Sequence, residues 1–214
     1  MHKIKVVVIG LLLLSALIAG VMMSSHYQQG AKQPEFINLY PAPRVLPEFS
    51  LIDQHGQSFT QAQLRQHWTL VFMGYTFCPD ICPTTLAELK SIYPQLQAIE
   101  TTNPIQVLFI SVDPKRDSQQ RLLEYINFFH QDFIAATAGH EVLFPLVRGM
   151  GMMYGMNGST EEDNYLVDHS AAIVLINPLA QVIGRFKPQH KLGQTPVSDG
   201  AQILNDLPIL ISNH

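Results

Sequence analysis

Short apolar runs and segments with helical spacing alternate along most of the chain. After residue 46, "PEFSLIDQHGQSFT" sets Phe49 and Leu51 among polar neighbours, turns at His55-Gly56 and returns to Phe59. That pattern predicts a small N-terminal β-hairpin. "WTLVFMGY" (68–75) and "IQVLFISV" (105–112) are continuous apolar runs bounded by turn residues, as expected of strands buried on both faces. Elsewhere the period changes. Leu86, Leu89, Tyr93 and Leu96 predict a helix over 83–96, and Leu122, Tyr125, Ile126 and Phe129 predict one over 117–130. A third helix is expected around 140–154. "HSAAIVLINP" (169–178) and "QVIGRFK" (181–187) read as an antiparallel pair joined across Pro178, and a last helix near 195–207 is expected to end at Pro208. Together these elements predict one α/β domain over 47–211, a mixed sheet flanked by helices.

The amino end is different. Residues 6–23, "VVVIGLLLLSALIAGVMM", carry no charge and reach the lower limit for crossing a bilayer as a helix. His2, Lys3 and Lys5 precede the run, so the positive-inside rule leaves the amino end in the cytoplasm and everything after residue 24 outside. The run is long for a signal peptide and no small-x-small cleavage site follows, which favours an uncleaved anchor over 1–24. No cysteine follows the run, which excludes a lipoprotein, and no Arg- and Ser-rich leader precedes it. The expected location is therefore a bacterial inner membrane, single-pass, with the domain in the periplasm. Residues 25–46, polar and proline-bearing, read as a tether.

Composition narrows the chemistry. The 214 residues are 47% hydrophobic and 14% charged with a net charge of −4, so a large core is expected and disorder is not. No basic face of the kind that neutralises phosphates is present, which argues against nucleic acid as a partner.

Both cysteines fall in "GYTFCPDICPTTL". Cys78 follows a buried strand, and Cys82 precedes a helix whose first position suits Pro83. At a helix amino end, unpaired N–H groups and the dipole favour a thiolate at Cys82. A structural disulfide is the plainer reading outside the cytoplasm. Yet a bridge across three residues closes a tiny loop and constrains the unfolded chain very little, so reactive thiols are the better account. Redox exchange and metal binding both remain open. Three intervening residues let the sulfurs face one point without forced contact, and soft thiolates select Cu(I) or zinc.

Two sulfurs seldom complete a metal site, which directs attention to the nine histidines. His2, His26 and His214 lie near the ends, His55 sits in a turn, and His67 and His190 have polar surroundings. His130 ends a helix, where a structural role suffices, and His140 starts one. His169 introduces the apolar strand "AAIVLI", where it could meet a loop leaving a neighbouring strand. A hydrogen-bonded structural histidine explains it equally well. Asp168 reads either as a group orienting His169 or as a solvated carboxylate. Met150, Met152, Met153 and Met156 offer thioethers to Cu(I), but read first as core filler. Glu161, Glu162 and Asp163 form an acidic loop suited to steering a cationic partner.

"GYTFCPDICPTTLAEL", "FISVDPKRDS" and "YLVDHSAAIVLINP" together resemble the Sco/SenC family of membrane-anchored copper-binding proteins with a thioredoxin-like fold. The resemblance covers about 47–210, with the three motifs in the family's order. It implies that Cys78, Cys82 and His169 bind copper, as Cu(I) or, with an added oxygen ligand, Cu(II). It also implies a metallochaperone role, supplying the dinuclear copper centre of cytochrome c oxidase. The implied partners are the oxidase's copper-accepting subunit and other copper chaperones or thiol–disulfide proteins. A thiol–disulfide reductase keeping the oxidase cysteines reduced is the alternative, with Cys78 and Cys82 as its redox pair. The chain departs from the pattern at Phe77, where many members carry histidine, and at Asn177-Pro178-Leu179-Ala180, which lacks the frequent Asp-Gly.

Overall fold

The computed structural model describes residues 14–20, 32–158, 165–190, 193 and 195–213. Of the expected anchor, residues 14–20 form a helix, α1, and the remainder lies outside the described residues. Among the described residues no helix is long and apolar enough to cross a membrane. Residues 25–31 of the expected tether and the acidic loop at 161–163 also lie outside them.

The two apolar runs form the centre of the domain. β4 (Trp68–Gly74) and β5 (Ile105–Ser111) pair in parallel, from Trp68 opposite Ile105 to Gly74 opposite Ser111. Every residue of β4 is buried, because helices and loops cover both faces of the sheet. Each large aliphatic or aromatic side chain buried there contributes about 1.5–3 kcal/mol. Among the described residues the main sheet has eight strands. Its remaining members are β1 (Asn38–Val45), β2 (Leu51–Asp53), β3 (Ser58–Phe59), β6 (Ile134–Thr137), β9 (Ile173–Ile176) and β10 (Gln181–Phe186). Their order is β1-β10-β9-β4-β5-β6-β2-β3. β6 continues the parallel pairing from β5, whereas β9 lies antiparallel to β4. One face is covered by α3 (Ile81–Gln97), α4 (Gln119–Phe129) and α6 (Gly200–Ser212). The other carries α5 (His140–Gly149) and a separate hairpin of β7 (Tyr154–Asn157) and β8 (Leu166–His169). The short helix α2 (Gln61–Leu64) connects β3 to β4 and is closed by a capping box from Thr60 and Gln63.

The expected hairpin is β2–β3, and β9–β10 is the expected pair across Pro178, except that β9 starts at Ile173 and His169 belongs to the separate strand β8. Several other expectations are corrected. Asn38–Val45 belongs to the sheet and not to a tether. Almost all of β1 is exposed, so no alternation marks it, and Pro41 and Pro43 stand where its pairing with β10 shifts register. Proline is tolerated on such an edge strand. α3 begins two residues before its expected start, which puts Cys82 and Pro83 inside the first turn, where a missing N–H still matters little. The helix expected at 140–154 stops at Gly149, and β7 follows. α6 starts later than expected and runs through Pro208. A proline there forfeits an intrahelical bond, but Ile203, Asp206 and Leu207 are buried beneath the helix and hold it.

Asp206 fixes where the chain enters the domain. Its buried carboxylate accepts hydrogen bonds from the backbone N–H groups of Glu35 (2.9 Å), Phe36 (2.6 Å) and Ile37 (2.7 Å). Burial by itself would raise its pKa, but these donors, together with the Asn205 amide, outweigh that effect and hold the carboxyl below the usual range. The resulting stabilisation is present above the unfolded carboxylate pKa of about 4 and is lost as pH falls through the folded value. Asp206→Ala is expected to reduce unfolding free energy by about 3 kcal/mol at pH 7. In urea titrations the gap to the unsubstituted chain should narrow at pH 3; a constant gap would show that charge plays no part.

Candidate metal centre

The thiols sit in the connection from β4 to α3. The last residue of β4, Gly74, is a glycine because the inner sulfur lies against it: a Cβ there would stand 2.4 Å from Cys82 Sγ and 3.0 Å from Phe109 Cε2. Cys82 is fully buried, Cys78 is half-buried, and both thiols are free. His169 reaches them from the end of β8. Its Nε2 is 3.3 Å from Cys82 Sγ, and one ligand atom from each of Cys78, Cys82 and His169 falls within 4.8 Å of the others. Among the described residues no other cluster of three or more His, Cys, Asp or Glu side chains is placed to hold a metal.

The imidazole is held edge-on to Phe72 and Tyr75, with ring centroids 6.1 and 6.0 Å away. Its Nδ1 lies 3.2 Å from the Ser170 carbonyl oxygen, an acceptor only, so Nδ1 carries the proton and Nε2 presents its lone pair to the sulfurs. The orienting group is thus a backbone carbonyl and not Asp168. Asp168 alternates to the other face of β8 and is exposed, as the solvated reading has it. The other described histidines serve elsewhere. His140 Nδ1 meets the Tyr154 hydroxyl at 2.9 Å, and the His130 ring packs tilted against that of Tyr93, with centroids 4.5 Å apart. Met150 and Met152 are core residues and Met156 packs against them, whereas Met153 is 73% exposed.

The supporting residues come from the turn after β5, which sequence reasoning passed over. Asp117, nearly fully buried, accepts from Thr76 N–H (3.0 Å), from the Thr76 hydroxyl (2.7 Å) and from the Ser111 hydroxyl (2.5 Å), which pins the cysteine loop. Burial raises its pKa, and these donors oppose the rise. Asp113 accepts from Arg116 Nε and from the Tyr165 hydroxyl. Arg116 also donates to the Tyr165 carbonyl at 2.9 Å and lies 3.6 Å over its ring. Tyr165 leads directly into β8. One turn therefore grips both the thiol loop and the histidine hairpin.

The two thiols ionise in opposite senses. A hydrogen bond from Cys82 lowers Cys78 most. Burial opposes it, and the backbone N–H groups of Asp80 and Cys82 help, leaving Cys78 at about 3. Burial pushes Cys82 up, reinforced by its hydrogen bond to Cys78 and the charge there. The expectation that the helix terminus makes a thiolate at Cys82 easier to form than in a free cysteine is thus reversed: complete desolvation outweighs the dipole. The pair can offer one anionic sulfur, one protonated sulfur and one imidazole lone pair to a soft cation or a disulfide.

The SCO1/SenC family profile matches residues 38–199, three quarters of the chain and all three of these side chains. The chain belongs to the SCO1/SenC family. An SCO2-like protein of Rickettsia typhi is 36% identical over 154 residues, covering 70% of this chain and 74% of that one. A mitochondrial SCO2 homologue of Bos taurus is 34% identical and covers 75% of this chain, which spans 60% of the bovine protein's length. Arabidopsis thaliana ScoI, crystallised with copper bound, superposes with a TM-score of 0.68 at 28% identity, over 79% of this chain and 99% of that one. The mixed α/β fold is thus the thioredoxin-like fold of Sco structures. Within this SCO1/SenC domain Phe77, 47% exposed, lies beneath two cations, Arg116 at 5.0 Å and Arg121 at 4.8 Å. The departure at Phe77 therefore replaces an imidazole with an aromatic platform.

Thiol labelling tests the asymmetry. In the reduced, metal-free chain, iodoacetamide should modify Cys78 from about pH 5 upward at a rate nearly flat to pH 8. In Cys78→Ser, the buried Cys82 should label far more slowly. A rate that climbs through pH 8–9 would place Cys78 at the value of an ordinary free thiol.

Proposed function

We propose that this chain is a copper metallochaperone that holds its cargo on Cys78, Cys82 and His169 and supplies it to the dinuclear copper centre of cytochrome c oxidase. The observation that carries this reading is the convergence of three donors, from residues 78, 82 and 169, within 4.8 Å. The donor set fits the cargo. Two sulfurs and a neutral imidazole are soft or borderline ligands that suit Cu(I), and an added oxygen ligand would admit Cu(II). Copper bound in Arabidopsis ScoI supports the same choice for a relative of this fold. The uncharged run at 6–23, with Lys3 and Lys5 ahead of it, supports a single-pass anchor in a bacterial inner membrane. The domain would then face the periplasm, where the copper-accepting oxidase subunit is the partner.

A second reading is favoured by the low pKa of the half-buried Cys78 beside a protonated Cys82. A Cys78 thiolate can attack a partner's disulfide and form a mixed disulfide as one partner sulfur leaves. Cys82, losing its proton, then attacks Cys78 and frees the second. The partner gains two electrons, and the Cys78–Cys82 disulfide is formed.

Copper titration separates the readings. The reduced full chain is expected to bind about one Cu(I), and His169→Ala should weaken binding by more than about tenfold. A pure reductase would keep its dithiol activity in that variant. Unchanged copper affinity in His169→Ala would overturn the ligand assignment.

A further inference from the structure

Three cavities adjoin along the β7–β8 hairpin and lead away from the donor cluster. The first, bordered by Cys78, shares Asp168 and His169 with a second of about 460 Å³. The second shares Met153 and Tyr154 with a third of about 540 Å³, which also takes in Phe144, Arg148 and Gly151. One groove therefore runs from the thiol loop to α5. It is tied to the imidazole through Ser170. The Met153 N–H donates to Ser170 Oγ at 3.2 Å, and the Ser170 N–H donates to the Met153 carbonyl at 3.0 Å. The same residue supplies the carbonyl that orients His169, and Tyr154 stands opposite His169 in the pairing of β7 with β8.

The lining is unusual for a surface turned to water. The Phe144 and Tyr154 rings stack with centroids 4.6 Å apart, yet Phe144 is 44% exposed and Met153 more so. Contiguous exposed apolar groups mark contact sites, in which aromatic, Met and Arg side chains are enriched. Charge indicates what fits there. Arg148 lines the groove, and Arg185 donates to the Gly151 carbonyl at 2.8 Å. Arg44 comes so close that a Cβ on Gly151 would stand 2.8 Å from its Nη1. Among the described residues none of these three forms an ion pair with a carboxylate. In a chain of net charge −4 they make one end of the groove cationic, whereas Asp168 lies by the donor cluster.

We propose that this groove is the docking face for the copper-accepting oxidase subunit, which lays across it a segment carrying an apolar side chain and a carboxylate. The inference rests on the copper-carrier reading and adds where the acceptor binds and by what chemistry. The apolar side chain packs on Phe144, Met153 and Tyr154, and the carboxylate pairs with the arginines around Gly151. The acceptor's soft ligands then reach His169 and Cys78 through the adjoining cavities. Desolvated aromatic and arginine contacts hold the segment, and the cationic end fixes its direction along the groove.

The test mixes the reduced, Cu(I)-loaded full chain with rising concentrations of the metal-free, reduced oxidase subunit and follows the initial rate of Cu(I) transfer. Competition with a chromogenic chelator measures Cu(I) affinity separately. Phe144→Ser and Arg148→Glu should each raise the half-saturating acceptor concentration by about tenfold, with the limiting rate and the Cu(I) affinity unchanged. Lys90→Glu, the same charge reversal at an exposed position of α3 on the other face of the sheet, should leave half-saturation as it was. Normal half-saturation in both groove variants would overturn the inference and leave the copper reading standing. An equal loss in Lys90→Glu would trace the effect to net charge, and a loss of Cu(I) affinity in the groove variants would trace it to the centre; either result overturns the inference. If the unsubstituted chain binds Cu(I) but passes none to the subunit, the acceptor is wrong and the docking assignment falls with it. If the chain takes up no Cu(I), the copper reading fails and takes the inference with it.

Discussion

The geometry of this centre depends on two buried carboxylates at the end of one strand. Asp113 and Asp117 follow β5 and face in different directions. Asp117 takes the backbone and hydroxyl of Thr76, two residues before Cys78, while Asp113 and Arg116 take Tyr165, four residues before His169. Buried charges persist only when paired or fully hydrogen-bonded, so each of these contacts is strongly constrained. Because both carboxylates belong to one short turn, the thiol loop and the histidine hairpin share a single reference point. Two donor side chains close in the chain and one far away are thereby brought to a common position with no direct covalent link.

The same enclosure creates the difference between the sulfurs. Cys82 is pressed over Gly74 beneath β4 and α3, and loses the solvent that would stabilise its charge. Cys78, four residues earlier on the loop, keeps part of that solvent and gains donors from Cys82 and two backbone N–H groups. One proton thus stays with the inner sulfur while the outer sulfur is ionised. On the copper reading, metal occupancy and thiol oxidation exclude one another, because sulfurs engaged by a cation cannot also join in a disulfide. A single pair of residues then links metal loading to the redox state of the compartment.

Much of this was legible in the sequence, and the failures have definite causes. β4 and β5 announced themselves as apolar runs because both their faces are buried, and α4 did so through its amphipathic spacing. Asp117 was read as the start of that helix, but Ser118 caps it and Asp117 is drawn to Thr76. No local pattern distinguishes a carboxylate buried by tertiary contacts from one in water, so neither Asp113 nor Asp117 stood out as a support of the site. β1 and β7 were missed for different reasons: the former is an exposed, proline-bearing edge, and the latter is a four-residue strand of Tyr, Gly, Met and Asn. Cys78 and Cys82 stood out by their scarcity. His169 did not follow from periodicity, since the strand that carries it pairs, among the described residues, only with β7, outside the main sheet.

The gradation of burial across the three donors bears on how cargo could leave. Cys82 is enclosed, whereas Cys78 and His169 are only partly covered and line a cavity of about 230 Å³ with Tyr75, Asp80 and Leu166. This cavity gives a partner's ligand access to Cys78 and His169. The first protein bonds to yield would then be those from Cys78 and His169, whose donors border solvent, with the buried sulfur last. Stepwise exchange of this kind keeps a soft cation coordinated throughout and never requires its release to water. A site with three enclosed ligands would retain metal more firmly but present no donor for a partner to displace. On the copper-carrier reading, partial exposure of Cys78 and His169 would suit the centre to transfer, and complete burial of Cys82 would keep the cargo from being lost before a partner arrives.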